Sequence, residues 1–181
     1  MKKYYLAAAV LLIGCGREKP LPVYGQIPGF VLTNQQGHMF DRHRLDGHVW
    51  IADFIYTHCE GPCPRMSSHM HQLQDKVAKD VKLISFSVDP ERDTPPVLED
   101  YAKQFGADED HWNFLTGDAQ VLNMLDHDAF KLGSLGAGMD HSTRFVLVDR
   151  KGQIRGYYGI AEGDPVEKLA HDAAVLEKEQ A

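Results

Sequence analysis

Apolar runs of strand length alternate along the chain with stretches whose apolar positions recur at helical spacing. Phe30-Val31-Leu32-Thr33, the polar Asn34-Gln35-Gln36-Gly37 and His38-Met39-Phe40 predict a strand, a turn and a strand. Residues 49–56 form a mostly apolar run suited to a central strand. It leads into Thr57-His58-Cys59-Glu60-Gly61-Pro62-Cys63-Pro64. Pro64 fits the first position of a helix, which makes Cys63 the expected N-cap. Met66, Met70, Leu73 and Val77 then give that helix one apolar stripe.

The alternation continues downstream. Residues 81–88 read as a second central strand, and Asp93-Thr94-Pro95-Pro96 opens a helix carrying Val97, Leu98, Tyr101 and Phe105, closed by Gly106. A short strand follows at 112–115, with Trp50 and Trp112 expected in the core. Asp118 is the expected cap of a helix bearing Val121, Leu122, Leu125 and Phe130. Gly133, Gly136 and Gly138 mark a loop, residues 143–148 and 153–158 a hairpin, and Pro165 the start of a final amphipathic helix. Strands alternating with helices, ending in a hairpin plus helix, predict an α/β thioredoxin-like fold with an added N-terminal β-hairpin.

The 181 residues favour one domain, and 43% apolar with 25% charged residues describe a globular chain that can bury a core. The net charge is −7, and no basic run extends beyond Lys2-Lys3, which argues against nucleic acid as a partner.

The N-terminus has another pattern. After Met1-Lys2-Lys3, residues 4–13 carry no charge, too short a stretch to span a bilayer as a helix yet long enough for a signal-peptide core. Leu12-Ile13-Gly14-Cys15 resembles a bacterial lipobox. The resemblance implies cleavage after residue 14 and lipidation of Cys15, hence a membrane-anchored lipoprotein facing the periplasm or cell exterior. On this division residues 1–14 are the signal peptide, 15–28 an extended tether rich in Pro and Gly, and 29–181 the domain.

With Cys15 lipidated, one cysteine pair remains, Cys59 and Cys63. A disulfide between them would close too small a loop to stabilise much, so the pair points to chemistry. A thiol near a helix N-terminus ionises readily, and thiolates select Cu(I), Zn(II) or iron–sulfur species over hard cations. Three intervening residues make room for a metal and still permit a disulfide.

Four spaced motifs add specificity: Phe54-Ile55-Tyr56-Thr57-His58-Cys59 with Cys63-Pro64, Ser87 to Pro95, Trp112 to Gly117, and Asp140-His141-Ser142-Thr143. Together they resemble the Sco/SenC family, thioredoxin-fold proteins that handle copper in cytochrome c oxidase assembly. The resemblance covers about residues 25 to 178. It implies copper, Cu(I) or Cu(II), held by Cys59, Cys63 and His141, a copper donor protein upstream, and the oxidase's copper-bearing subunit as recipient. Thioredoxins have a cis-proline before the final hairpin, whereas this chain has Met139-Asp140-His141-Ser142-Thr143, where an imidazole supplies a third donor. Asp140 is a candidate to orient that ring. Glu60 stands where the family commonly has proline, and a carboxylate there is expected to raise the thiol pKa.

These residues serve two functions: a metallochaperone without catalytic turnover, or a thiol–disulfide oxidoreductase cycling Cys59 and Cys63 to keep the oxidase subunit's cysteines reduced. A peroxidase constellation is not found, and nothing in the sequence supports a sensor. Met66 and Met70 lie on the buried stripe, so the Met66-His69-Met70-His71 cluster reads as core packing, with His69 and His71 at its edge or in solvent. His58 receives no role. His38, His43, His48, His111, His127 and His171 are expected at the surface. Asp89 to Asp93 reads as a turn and cap for the next helix.

Overall fold

The apolar run at 49–56 becomes a strand buried along its whole length, and the sheet builds outward from it. The computed structural model describes residues 19–132 and 143–179. Cys15 and His141 therefore lie outside the described residues, as do the glycines of the 133–138 loop. The strands are β1 (Gly25–Gln26), β2 (Val31–Asn34), β3 (Met39–Asp41), β4 (Trp50–Ile55), β5 (Lys82–Ser87), β6 (Trp112–Thr116), β7 (Arg144–Val148) and β8 (Gln153–Gly159). The helices are α1 (Pro62–Lys76), α2 (Pro95–Gln104), α3 (Ala119–Asn123) and α4 (Val166–Lys178).

The eight strands form one sheet in the order β1-β8-β7-β4-β5-β6-β2-β3. β4, β5 and β6 are parallel neighbours joined through α1 and α2, while β7 runs antiparallel to β4 and forms a hairpin with β8. This is the expected thioredoxin-like α/β arrangement with the added β2–β3 hairpin, attached to β6.

Period-two alternation divides the core. Ile51 and Ile55 face a layer with Met66, Met70 and Leu73 of α1, Leu98 and Tyr101 of α2, and Leu169 and Leu176 of α4. Trp50, Ala52 and Phe54 face the opposite layer with Leu122, Leu125 and Phe130. Both tryptophans are fully buried, as expected, and Met66 and Met70 are core residues.

Four details depart from the sequence reading. The stretch at 15–28 was expected to be a tether, yet from Leu21 on it is held. β1 pairs with β8, and the Arg155 guanidinium donates to the carbonyls of Leu21 and Pro22. The same guanidinium bridges Asp149 and Glu179, each at 2.9 Å, tying the chain entry to the C-terminal helix. Second, the helix capped by Asp118 is α-helical only through Asn123. It then widens into a π-helical segment, Met124–Ala129, in which Phe130 N–H reaches the Leu125 carbonyl at 2.8 Å.

Third, His111 is not a surface residue. It is 1% exposed, and burial drives its pKa below the ordinary histidine value. The ring is enclosed because His111 immediately precedes β6 and its carbonyl accepts from Leu83 N–H, which draws the residue into the sheet. Fourth, the N-cap of α1 is Gly61 and Pro62 takes the first turn, so Cys63 lies inside the helix. Of the other histidines, His38, His43, His127 and His171 are exposed and His48 is half-buried.

Candidate metal centre

β4 delivers the chain to the C-terminal end of the central strands at Ile55, and a tight turn brings Cys59 N–H to the Tyr56 carbonyl at 3.2 Å. Cys59 then lies against the first turn of α1, where backbone N–H groups have no intrahelical acceptor. Its sulfur accepts the Cys63 N–H at 3.4 Å. A thiol thus takes the place that a Ser or Asp oxygen takes at an ordinary helix start, and α1 has no other side-chain cap. Both cysteines are free thiols and both are buried.

The two sulfurs are not equivalent. Burial disfavours a thiolate at Cys59, but hydrogen bonds from the Cys63 thiol, the Cys63 and Gly61 N–H groups and the Tyr56 hydroxyl outweigh it, and hold Cys59 below the ordinary thiol pKa. Burial pushes Cys63 up, and its bond to Cys59 pushes it further. Of the two, Cys59 is therefore the sulfur that ionises first and Cys63 the one that keeps its proton longer. Glu60 does not produce the expected upward shift at Cys59; it is exposed, and its charge adds to raising the Tyr56 hydroxyl.

Beneath the dithiol lies a carboxyl group the sequence reading passed over. Asp53 is fully buried, and burial pushes its pKa up to about 7 against the opposing hydrogen bond from Ser85. Ser85 Oγ donates to Asp53 Oδ1 at 2.6 Å and accepts Trp112 Nε1–H at 2.9 Å. Asp53 also contributes to the raised pKa of Cys63. The signal was available: a single acid in an otherwise apolar strand, in phase with Ile51 and Ile55 on the face under α1. Tyr56 was also missed, and its position three residues before Cys59 offers no pattern to find it by.

His58 is exposed, with Nδ1 3.1 Å from Thr57 Oγ1. His69 is buried at the stripe's edge with its ring 6.2 Å from that of Phe145, and His71 is exposed. Two soft sulfurs, one in the loop just ahead of α1 and one in its first turn, suit a monovalent copper ion. Among the described residues, no three His, Cys, Asp or Glu side chains form a further metal cluster. None of the described helices is long and apolar enough to cross a membrane.

A thioredoxin-like sheet with a reduced, asymmetric dithiol at the head of its first helix defines a thiol-bearing protein of that fold. The sequence profile of the SCO1/SenC family matches residues 24–176, and the chain belongs to that family. The SCO1 protein homolog of Bacillus subtilis (strain 168) is 36% identical over 176 residues, covering 90% of this chain and 89% of that protein. Among solved structures, BsSco, a Sco-family cytochrome c oxidase assembly protein in which a disulfide switch has been identified, superposes with a TM-score of 0.79 at 32% identity. It covers 91% of this chain and 100% of its own. The copper-bound ScoI of Bradyrhizobium japonicum superposes with a TM-score of 0.68 at 26% identity, covering 84% and 99%.

Proposed function

We propose that this protein is a copper metallochaperone tethered to a membrane through lipid on Cys15, receiving copper from a donor protein and delivering it to the dinuclear copper centre of cytochrome c oxidase. Residues 1–14 serve as signal peptide, and the domain faces the periplasm or cell exterior. Copper is the cargo, held by Cys59, Cys63 and His141.

The observation carrying this reading is the Cys59 sulfur seated on Cys63 N–H at the head of α1, with the second thiol one turn away. Topology supports the third donor. β7 is antiparallel to β4, so β7 begins, at Arg144, at the same end of the sheet from which the cysteine loop departs. Copper-bound relatives support the choice of ion. Loading requires the Cys63 proton to leave, which makes copper uptake stronger as pH rises. Release proceeds by ligand exchange, one donor of the recipient replacing one of this site at each step, and the net negative charge steers a positively charged partner face.

The acidity difference between the sulfurs also favours a second reading, a thiol–disulfide oxidoreductase. Cys59 thiolate would attack a substrate disulfide, expelling one substrate thiolate. Cys63, after losing its proton, would then attack Cys59 to release the second and leave a Cys59–Cys63 disulfide.

The test is anaerobic copper titration of the reduced domain against a competing Cu(I) chelator, beside the His141→Ala variant and a disulfide-reduction assay. Weakened copper binding with dithiol chemistry intact is the expected result. Equal copper binding with and without His141 overturns the three-donor site. For the anchor, mass spectrometry of the membrane fraction should find the mature chain beginning at diacylated Cys15, and an unmodified N-terminus elsewhere refutes it.

A further inference from the structure

The parallel ladder between β4 and β5 ends where Val88 N–H meets the Ile55 carbonyl at 2.9 Å. Beyond that point the β4 chain turns toward Cys59 and the β5 chain toward α2, so Thr57 N–H loses its place in the sheet. Asp93 supplies the acceptor. Its carboxylate has no exposed surface. Oδ1 accepts the Thr57 hydroxyl at 2.6 Å and Thr57 N–H at 3.2 Å. Oδ2 accepts Ser87 Oγ–H at 2.6 Å and lies 3.3 Å from the same Thr57 nitrogen.

The turn that carries Asp93 is itself closed. Asp93 N–H and Arg92 N–H both reach the Asp89 carbonyl, and Asp89 N–H reaches Ser87 Oγ at 3.0 Å. This is not the helix cap expected for the segment: the N-cap of α2 is Thr94, and it makes no side-chain cap bond. Asp93 faces away from α2 and into the strap that enters the cysteine loop. The clamp reaches one residue further. Thr57 gives its only hydroxyl proton to Asp93, so it can only accept from His58, which fixes the His58 proton on Nδ1.

We infer that Asp93 is a positioning residue for the dithiol, fixing Thr57 so that Cys59 stands ready for its ligand before that ligand arrives. The inference rests on the reading of Cys59 as a working sulfur, for copper or for disulfide chemistry. Buried carboxylate–donor bonds are strong, and residues orienting a metal's own ligands are typically worth about 10- to 100-fold in affinity.

The test compares Asp93→Ala, Asp93→Asn and Thr57→Val in the reduced domain, with Leu169→Ala of α4 as a core variant outside the Asp93–Thr57 clamp. Three readouts are taken: Cu(I) affinity by chelator competition, the Cu(II) absorption spectrum, and the Cys59–Cys63 reduction potential in glutathione buffers. Asp93→Ala should lower affinity about 10- to 100-fold, broaden the spectrum and shift the potential. Asp93→Asn, which keeps one acceptor for Thr57, should recover most of each, and Leu169→Ala should move none. If Asp93→Ala does not fold, Thr57→Val removes the hydroxyl contact alone and should shift the same readouts several-fold. A folded Asp93→Ala or Thr57→Val variant with wild-type affinity, spectrum and potential overturns the inference. A wild-type domain that takes no copper overturns the chaperone reading instead, and the potential then still decides the role of Asp93.

Discussion

Asp53 and Ser85 face each other across the central parallel ladder, and the Ser85 hydroxyl donates to Asp53 Oδ1 at 2.6 Å in a layer closed to solvent. A carboxyl group here keeps its proton to a pKa of about 7. Between the unfolded value near 4 and that point, the folded protein holds a proton that the unfolded chain has lost, so its stability falls as pH rises.

Asp53→Asn should remove this slope. Relative to wild type, the variant should gain roughly 2–4 kcal/mol between pH 4 and pH 7.5. His69 and His111, whose pKa values burial lowers, act in the opposite sense, losing stability as pH falls. The difference between variant and wild type cancels their contribution. Urea denaturation of the metal-free reduced domain at several pH values measures it, and a pH-independent difference refutes the buried proton.

The unequal sulfurs predict unequal reactivity. Limiting iodoacetamide at pH 7, followed by peptide mass spectrometry, should label Cys59 at least about tenfold faster than Cys63, because the thiolate is the reactive form. Equal labelling would remove the asymmetry argued for the site.

Removing Arg155 would leave Asp149 and Glu179 unpaired and free the Leu21 and Pro22 carbonyls. Arg155→Met should cost about 3–5 kcal/mol, the usual penalty for stranding a buried partner. Thermal unfolding should show a clear fall in Tm, and limited proteolysis should begin to cut near residues 19–27. Wild-type Tm with unchanged proteolysis would mean that the ion pairs hold nothing.

Met70 has no exposed surface and packs in the layer under α1. Met70→Ala should lose about 2–5 kcal/mol through the cavity it leaves, while the folded fraction keeps full copper stoichiometry. Loss of copper at unchanged stability would turn the Met66–Met70 cluster into a metal patch.

Much of this architecture is legible in the linear pattern because its cause is local. The run at 49–56 is apolar because both its faces are covered, and Asp118 caps α3 through Gln120 and Val121 N–H as its side chain allows. What escapes is set by residues distant in sequence. β1 is two residues long and exists because β8 offers it a partner, so no alternation announces it. His111 follows Asp108-Glu109-Asp110 and looks exposed, yet its carbonyl's bond to Leu83 draws it inside. Pro62 and Pro64 both suit a helix start, and spacing cannot choose between them; Gly61 and Pro62 take those places and carry Cys63 into the helix. The cysteine pair was legible as a candidate site. Asp93 was visible only as a turn residue, since its target lies 36 residues earlier.

On the proposed reading, the grip of Arg155 on Leu21 and Pro22 would also limit how far the dithiol can stand from a bilayer. If Cys15 carries the lipid, only the residues between it and Leu21 remain as a leash, and fully stretched at about 3.5 Å each they span roughly 20 Å. The domain would then patrol a thin shell beside the lipid headgroups, so that a recipient must present its metal-accepting face within that shell. Inserting a dozen flexible residues after Gly16 would lengthen the radius without touching the copper site, and separates a requirement for nearness from a requirement for affinity.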